Sequence, residues 1–186
     1  MGLHAVLDAN VLLAAPLRDT LLRLAEADLY VPRWTKRILA EVAKNLVESG
    51  RTDTARAERV IETIAAAFPE AMVPTSVVST IEQAMTNDPK DRHVLAAAVG
   101  AGGEVVVTKN LKDFPATACE SLGIQIVSPD NFLVDLHKVD PSAGLRALSD
   151  QAAALTRPPL TVHDVLDHLA RDVPEFAGLA RESLSL

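Results

Sequence analysis

Five short apolar runs, each followed by a stretch with helical spacing, dictate the fold class of this 186-residue chain. The runs are Leu3–Asp8 (LHAVLD), Leu29–Pro32 (LYVP), Ala71–Val73, Glu104–Thr108 (EVVVT) and Gln125–Ser128 (QIVS). Between them, Asp19–Ala27, Trp34–Val47, Thr54–Ala67, Val77–Met85, Asp91–Ala101 and Thr117–Leu122 carry helical patterns. Strands that alternate with helices predict a parallel sheet covered on both faces. The three valines at 105–107 fit a strand with no solvated side. The expected architecture is therefore a three-layer α/β/α domain with a central parallel sheet of about five strands.

Beyond Val139 the pattern changes. Asp140 and Pro141 read as a hinge. Ala143–Leu155 and Val162–Ala170 follow as helices, separated by Arg157-Pro158-Pro159, and a last helix is expected from Pro174. The chain is accordingly divided into an α/β domain over 1–138 and a C-terminal helical extension over 139–186. There is no internal repeat and no low-complexity segment.

Composition agrees with helices on a sheet. Hydrophobic residues reach 48% but aromatics only 3%, so the core is built from Ala, Val, Leu and Ile. Cys119 is the single cysteine and has no partner for an internal disulfide, which points to a reducing, cytoplasmic setting. No apolar run approaches the roughly 20 residues of a membrane span. The start, MGLHAVLDAN, lacks the basic head of a secretory signal. The net charge is −7, which argues against a nucleic-acid binder that works by charge alone. The charge is uneven, however: residues 33–59 hold seven basic against four acidic side chains, and residues 140–186 hold four against seven. An anionic polymer prefers the first region.

Ligands of open parallel sheets bind beyond the carboxyl ends of the strands, where the strand order reverses. Asp8 ends the first run; Thr108 ends the fourth, with Asn110 and Asp113 just after it. If those two strands are neighbours at the reversal, these residues face one crevice. Asp8 also reads as a turn residue, and Asn10 as a cap on the next helix. In NDPKDRHVLAAAVG, Asp88 is a candidate cap, Pro89 the first helical residue, and Asp91 an acid of the first turn. Yet Asp91 shares a face with Val94, Leu95 and Ala98, the side expected to pack on the sheet. A carboxylate there needs a counter-charge, which a metal ion supplies. Glu41 flanks the apolar stripe Ile38, Leu39, Val42 and Leu46. Lys109, Lys112 and Arg92 are candidate phosphate contacts. The five histidines show no zinc spacing, and neither a Walker loop nor a dinucleotide fingerprint is present.

Four segments together, LDANVL at 7–12, Glu41 in ILAEV, DRHVLAAA at 91–98 and VVTKNLKDF at 106–114, resemble the PIN-domain family, and within it the VapC-type toxins of prokaryotic toxin–antitoxin pairs. The resemblance covers most of residues 1–135. It implies that Asp8, Glu41 and Asp91 are metal-binding acids of a ribonuclease and that the cofactor is Mg²⁺ or Mn²⁺. The fourth acid becomes Asp113, because Asn110 stands where relatives often carry Asp. Asn10 and Thr108 are implied as supporting polar residues and Asp88 as an auxiliary acid. RNA as substrate, a small antitoxin protein as partner and a homodimer are implied as well. Two other readings stay open: a non-catalytic PIN-fold module that binds RNA or protein, and an Asp8-dependent phosphotransfer domain.

Overall fold

The structure is a computed structural model that describes residues 2–185. The strands in chain order are β1 (His4–Leu7), β2 (Val31–Arg33), β3 (Val105–Val107) and β4 (Gln125–Val127). The helices are α1 (Ala15–Glu26), α2 (Lys36–Glu48), α3 (Thr54–Ala67), α4 (Thr75–Glu82), α5 (Arg92–Gly100) and α6 (Ala116–Cys119). They continue with α7 (Pro129–Val139), α8 (Pro141–Ala154), α9 (Val162–Leu169) and α10 (Pro174–Leu184). The chain forms two compact units. One comprises Leu3–Leu13 and Val31–Val127, the other Ala14–Tyr30 and the chain from Ser128 onward.

The first unit holds the sheet, in the order β2-β1-β3-β4 with every pairing parallel. Ala5 to Leu7 and Val105 to Val107 are at most 5% exposed, so successive side chains on opposite faces are all covered. That is the three-layer α/β/α arrangement the sequence predicts. The short edge strand β2 carries Pro32, which an edge tolerates because its outer side needs no ladder donor. Thr35 starts α2 by accepting the Ile38 N–H at 3.1 Å, and Asp53 starts α3 by accepting the Arg56 N–H at 2.8 Å.

Among the described residues the sheet has four strands, close to the expected number of about five. Ala71–Val73 makes only a single parallel bridge, Trp34 to Met72, through Trp34 N–H to Ala71 O at 3.0 Å and Val73 N–H to Trp34 O at 2.8 Å. Prolines on both sides limit it. Pro69 opens a 3-10 turn over Pro69–Ala71, and Pro74 leads directly into α4.

The second unit is all helical. Buried Thr20 on α1 donates to Gln151 Oε1 on α8 at 2.7 Å, and Gln151 Nε2 donates to Pro16 O at 3.0 Å. Tyr30 meets Phe132 of α7 edge-on at 5.0 Å. Asp130 accepts the N–H groups of Glu175 and Phe176, at 3.0 and 2.8 Å, at the start of α10. This grouping does not follow a break at 138/139: α7 and the early α1 both belong with the C-terminal helices. The hydrogen bonds and ring contacts just named are the physical reason.

Candidate active site

The strand order reverses between β1 and β3, which pair with Leu7 opposite Val107. The residues that follow, Asp8 and Thr108, therefore emerge side by side at the carboxyl ends, where ligand sites of such sheets form. The Asp8 N–H still reaches Val107 O at 3.1 Å, so Asp8 is fixed by the ladder itself. Its residue is 4% exposed. Asp8 Oδ2 accepts from Thr108 Oγ1 at 2.7 Å and from Asn10 Nδ2 at 2.6 Å. Thr108 Oγ1 in turn accepts from Asn10 Nδ2 at 3.0 Å and from the Asn110 N–H at 3.0 Å. Asn10 Oδ1 accepts the Lys109 N–H at 3.0 Å. Asn10 is therefore an orienting group for Asp8, with its donor and acceptor both in use. Burial raises the Asp8 carboxyl above its ordinary range, and the Thr108 hydrogen bond only partly offsets it.

Asp91 sits at the start of α5, just before Arg92, and its side chain caps no backbone N–H. The expected start at Pro89 is thus corrected: residues 88–90 form a turn in which Asp88 Oδ1 accepts the Lys90 N–H at 2.9 Å. The Asp88 N–H bonds to Asp113 O at 3.1 Å, which ties this turn to the loop after β3. Burial, followed by the charges of Asp8 and Asp113, pushes the Asp91 carboxyl up to about 6. Asp88 adds to the same effect. The charges of Asp8, Asp113 and Asp88 thus all bear on Asp91.

Glu41 approaches from α2. Its Oε1 lies 3.3 Å from Arg37 Nε and its Oε2 lies 3.2 Å from His93 Nε2, the latter off-line for a hydrogen bond. Burial works to raise the Glu41 carboxyl, but His93 and then Arg37 outweigh it and the net shift is downward. The Glu41 charge also acts on Asp8. His93 Nδ1 sits 2.9 Å from Lys90 O, and a carbonyl only accepts, so Nδ1 carries a proton. Arg37 Nη1 reaches on to Glu82 Oε1 of α4 at 2.9 Å.

His93, Arg37 and Glu82 were not among the sequence candidates. A signal for His93 existed: the run HVLAAA is apolar around the whole helix, and a histidine in it must be buried and partnered. Arg37 stands four residues before Glu41, an ordinary helical ion-pair spacing. Glu82 left no local trace, because its role depends on a contact 45 residues away.

The donors are all carboxylate oxygens, the set a hard divalent cation such as Mg²⁺ takes. The Asp8 and Asp91 carboxyls are raised first by burial, and at Asp91 next by the charges of Asp8 and Asp113, a cost that a bound cation would relieve. Among the described residues, no three His, Cys, Asp or Glu side chains are yet close enough together to hold a metal ion. Of the sequence-named cations, Lys109 and Lys112 are exposed, and Arg92 Nε donates to Asn87 O at 3.3 Å. Asn110 is exposed and contributes its backbone N–H to Thr108, whereas Asp113 acts on Asp91 by charge. Among the described residues, no helix is long and apolar enough to cross a membrane.

Comparison with known proteins agrees with this architecture. The profile of the VapC50 C-terminal domain matches residues 129–182, which takes in α7 to α10. The chain is 45% identical over 98 residues to the Mycobacterium tuberculosis protein named "Putative ribonuclease VapC50". That alignment covers 53% of this chain and 58% of the relative, so the chain spans less than two thirds of the relative's length. No solved structure matches it. The PIN domain profile matches residues 4–112, more than half of the chain, and takes in every residue of the site just described except Asp113. The chain belongs to the PIN-domain family.

Proposed function

We propose that this protein is a divalent-metal-dependent endoribonuclease and the toxin of a toxin–antitoxin pair. The observation that carries the reading is the convergence on Asp91. A half-buried carboxyl is pushed up to about 6 by its own burial and by the charges of Asp8 and Asp113 from two different strand ends. A carboxyl perturbed in this way by burial and by neighbouring charges at a sheet's carboxyl edge supports a functional site there. The similarity to a protein named as a ribonuclease supports the reaction class.

In this reading Asp8, Glu41, Asp91 and Asp113 hold Mg²⁺ or Mn²⁺. When bound, the ion orients a water for in-line attack on a phosphodiester and neutralises charge on the leaving oxygen. Thr108 and Asn10 fix the rotamer of Asp8 and keep its Oδ2 hydrogen-bonded. Asp88 sets the turn that carries Asp91. Lys109, Lys112 and Arg92 contact RNA phosphates around the cleft. The ion also reverses the local field, which lets an acidic protein receive an anionic substrate. A small antitoxin covers the site, the toxin works as a homodimer, and the buried single thiol Cys119 suits a reducing cytoplasm.

The test is cleavage of a mixed RNA pool with Mn²⁺ by the native chain, D8N and D91N. The native chain cleaves and both variants do not, while circular dichroism shows all three folded. Undiminished cleavage by both variants overturns the reading. RNA retention without cleavage by the native chain would instead establish a binding module.

A further inference from the structure

Glu41 has a side-chain nitrogen against each oxygen, and the two contacts differ. His93 is 1% exposed, and its second nitrogen is anchored on Lys90 O, so it has nowhere to go. The Arg37 side chain is half exposed and lies on Oε1 at 3.3 Å. The same guanidinium makes a shorter contact, 2.9 Å, with Glu82 Oε1 on a different helix. Arg37 is a permanent cation, and its planar fork lets it hold two carboxylates at once. A divalent ion on Glu41 would place like charges within a few ångströms of each other, so one of them must yield.

We propose that Arg37 is a displaceable guard on Glu41, and that Glu82 is the carboxylate that takes Arg37 up when a divalent cation binds. The inference rests on the metal-dependent reading above and deepens it by assigning the residues that set metal affinity. His93 stays in place and keeps Glu41 turned toward Asp8. Arg37 gives up the longer of its two contacts and keeps the shorter. Glu82 acts only through Arg37, which separates it from a metal ligand and from a diffuse contribution to the field.

The experiment is calorimetric titration of the full chain with Mn²⁺, without RNA. The proteins are native, R37Q, E82Q, the R37Q/E82Q pair, and K36Q as a control. Lys36 is exposed on the same helix and is not among the partners of Glu41, so K36Q removes a neighbouring charge without freeing Oε1. R37Q tightens the Mn²⁺ Kd about two- to five-fold, the scale of one half-exposed ion pair. E82Q weakens it about two-fold in the native background and has no effect in the R37Q background. K36Q leaves it unchanged. The guard is overturned if R37Q binds no tighter than the native chain, if E82Q weakens both backgrounds equally, or if K36Q matches R37Q. Absence of Mn²⁺ uptake by both native and R37Q protein removes the metal-dependent reading and the guard together. Uptake by the native chain with no response to R37Q removes the guard alone.

Discussion

Thr108 Oγ1 donates to Asp8 Oδ2 over 2.7 Å, joining the ends of two adjacent parallel strands through a hydroxyl that is fully buried. Thr108→Val keeps the shape and removes the donor. Asp8 then loses the strongest influence opposing its burial, and its carboxyl rises further. We expect RNA cleavage to drop about ten- to a hundred-fold, the usual cost of losing a partner of a metal-binding group. The fold should lose about 1–3 kcal/mol in urea melts. Unchanged cleavage would show that Asp8 needs no such support.

Asp91 makes stability depend on pH. Its folded pKa of about 6 lies above the ordinary 3.8, so between these values the folded chain holds a proton that the unfolded chain has released. Stability of the metal-free protein therefore falls as pH climbs from about 4 through about 6. If Mn²⁺ binds at Asp91 as proposed, it replaces that proton, and its stabilising effect is larger at pH 7 than at pH 5. Thermal melts across this range, with and without Mn²⁺, test both statements. D91N should flatten the metal-free fall; a profile unchanged in D91N would mean that Asp91 is not its source.

In the helical unit, Thr20 and Gln151 form a buried polar pair whose failure is asymmetric. Thr20→Val leaves Gln151 Oε1 buried without its donor, for a loss of about 1–3 kcal/mol. Replacing both residues by apolar ones of similar size costs less than the two single changes added together. Additive losses in urea denaturation would show that the pair is not coupled.

His137 is 3% exposed, its Nε2 is 3.0 Å from Ser183 Oγ, and burial lowers its pKa from 6.5. A depressed histidine gives stability that is complete above the unfolded value and is lost as pH falls below about 6.5. Gly144 lies against the same ring: a Cβ there would meet Nδ1 at 2.6 Å. Gly144→Ala normally strengthens a helix by about 1 kcal/mol. Here the ring is trapped by Ser183 and Phe176, so we expect a net loss of about 1–3 kcal/mol instead. A higher melting temperature for G144A would show that the imidazole moves aside freely.

Much of this was legible in the residues. The valine run at 105–107 and the LHAVLD run located two strands, but that they are neighbours, with Asp8 and Thr108 side by side, comes from the β1–β3 pairing. Asp91 was a candidate because it aligned with the sheet-facing residues of its helix, although it lies one residue ahead of α5. The pattern failed where meaning is non-local. Ala71–Val73 looks like a strand, but the prolines around it leave room for one bridge only. His93 was weighed for metal spacing alone, and its tie to Glu41 comes from α2. The amphipathic stripe of α1 says that it packs, but not against what. Its partner Gln151 lies 131 residues further on.

That last placement has a consequence for anyone who wishes to dissect the molecule. The polypeptide enters the helical unit at residue 14, leaves it by residue 31 and re-enters at 128, so one incision cannot liberate either half whole. An excised fragment starting at 128 would lack the helix that Gln151 grips, and its complement would carry that helix with Leu17, Leu21 and Leu24 stripped of their neighbours. Interleaving of this kind means that any shortened version has to keep both units on one polypeptide.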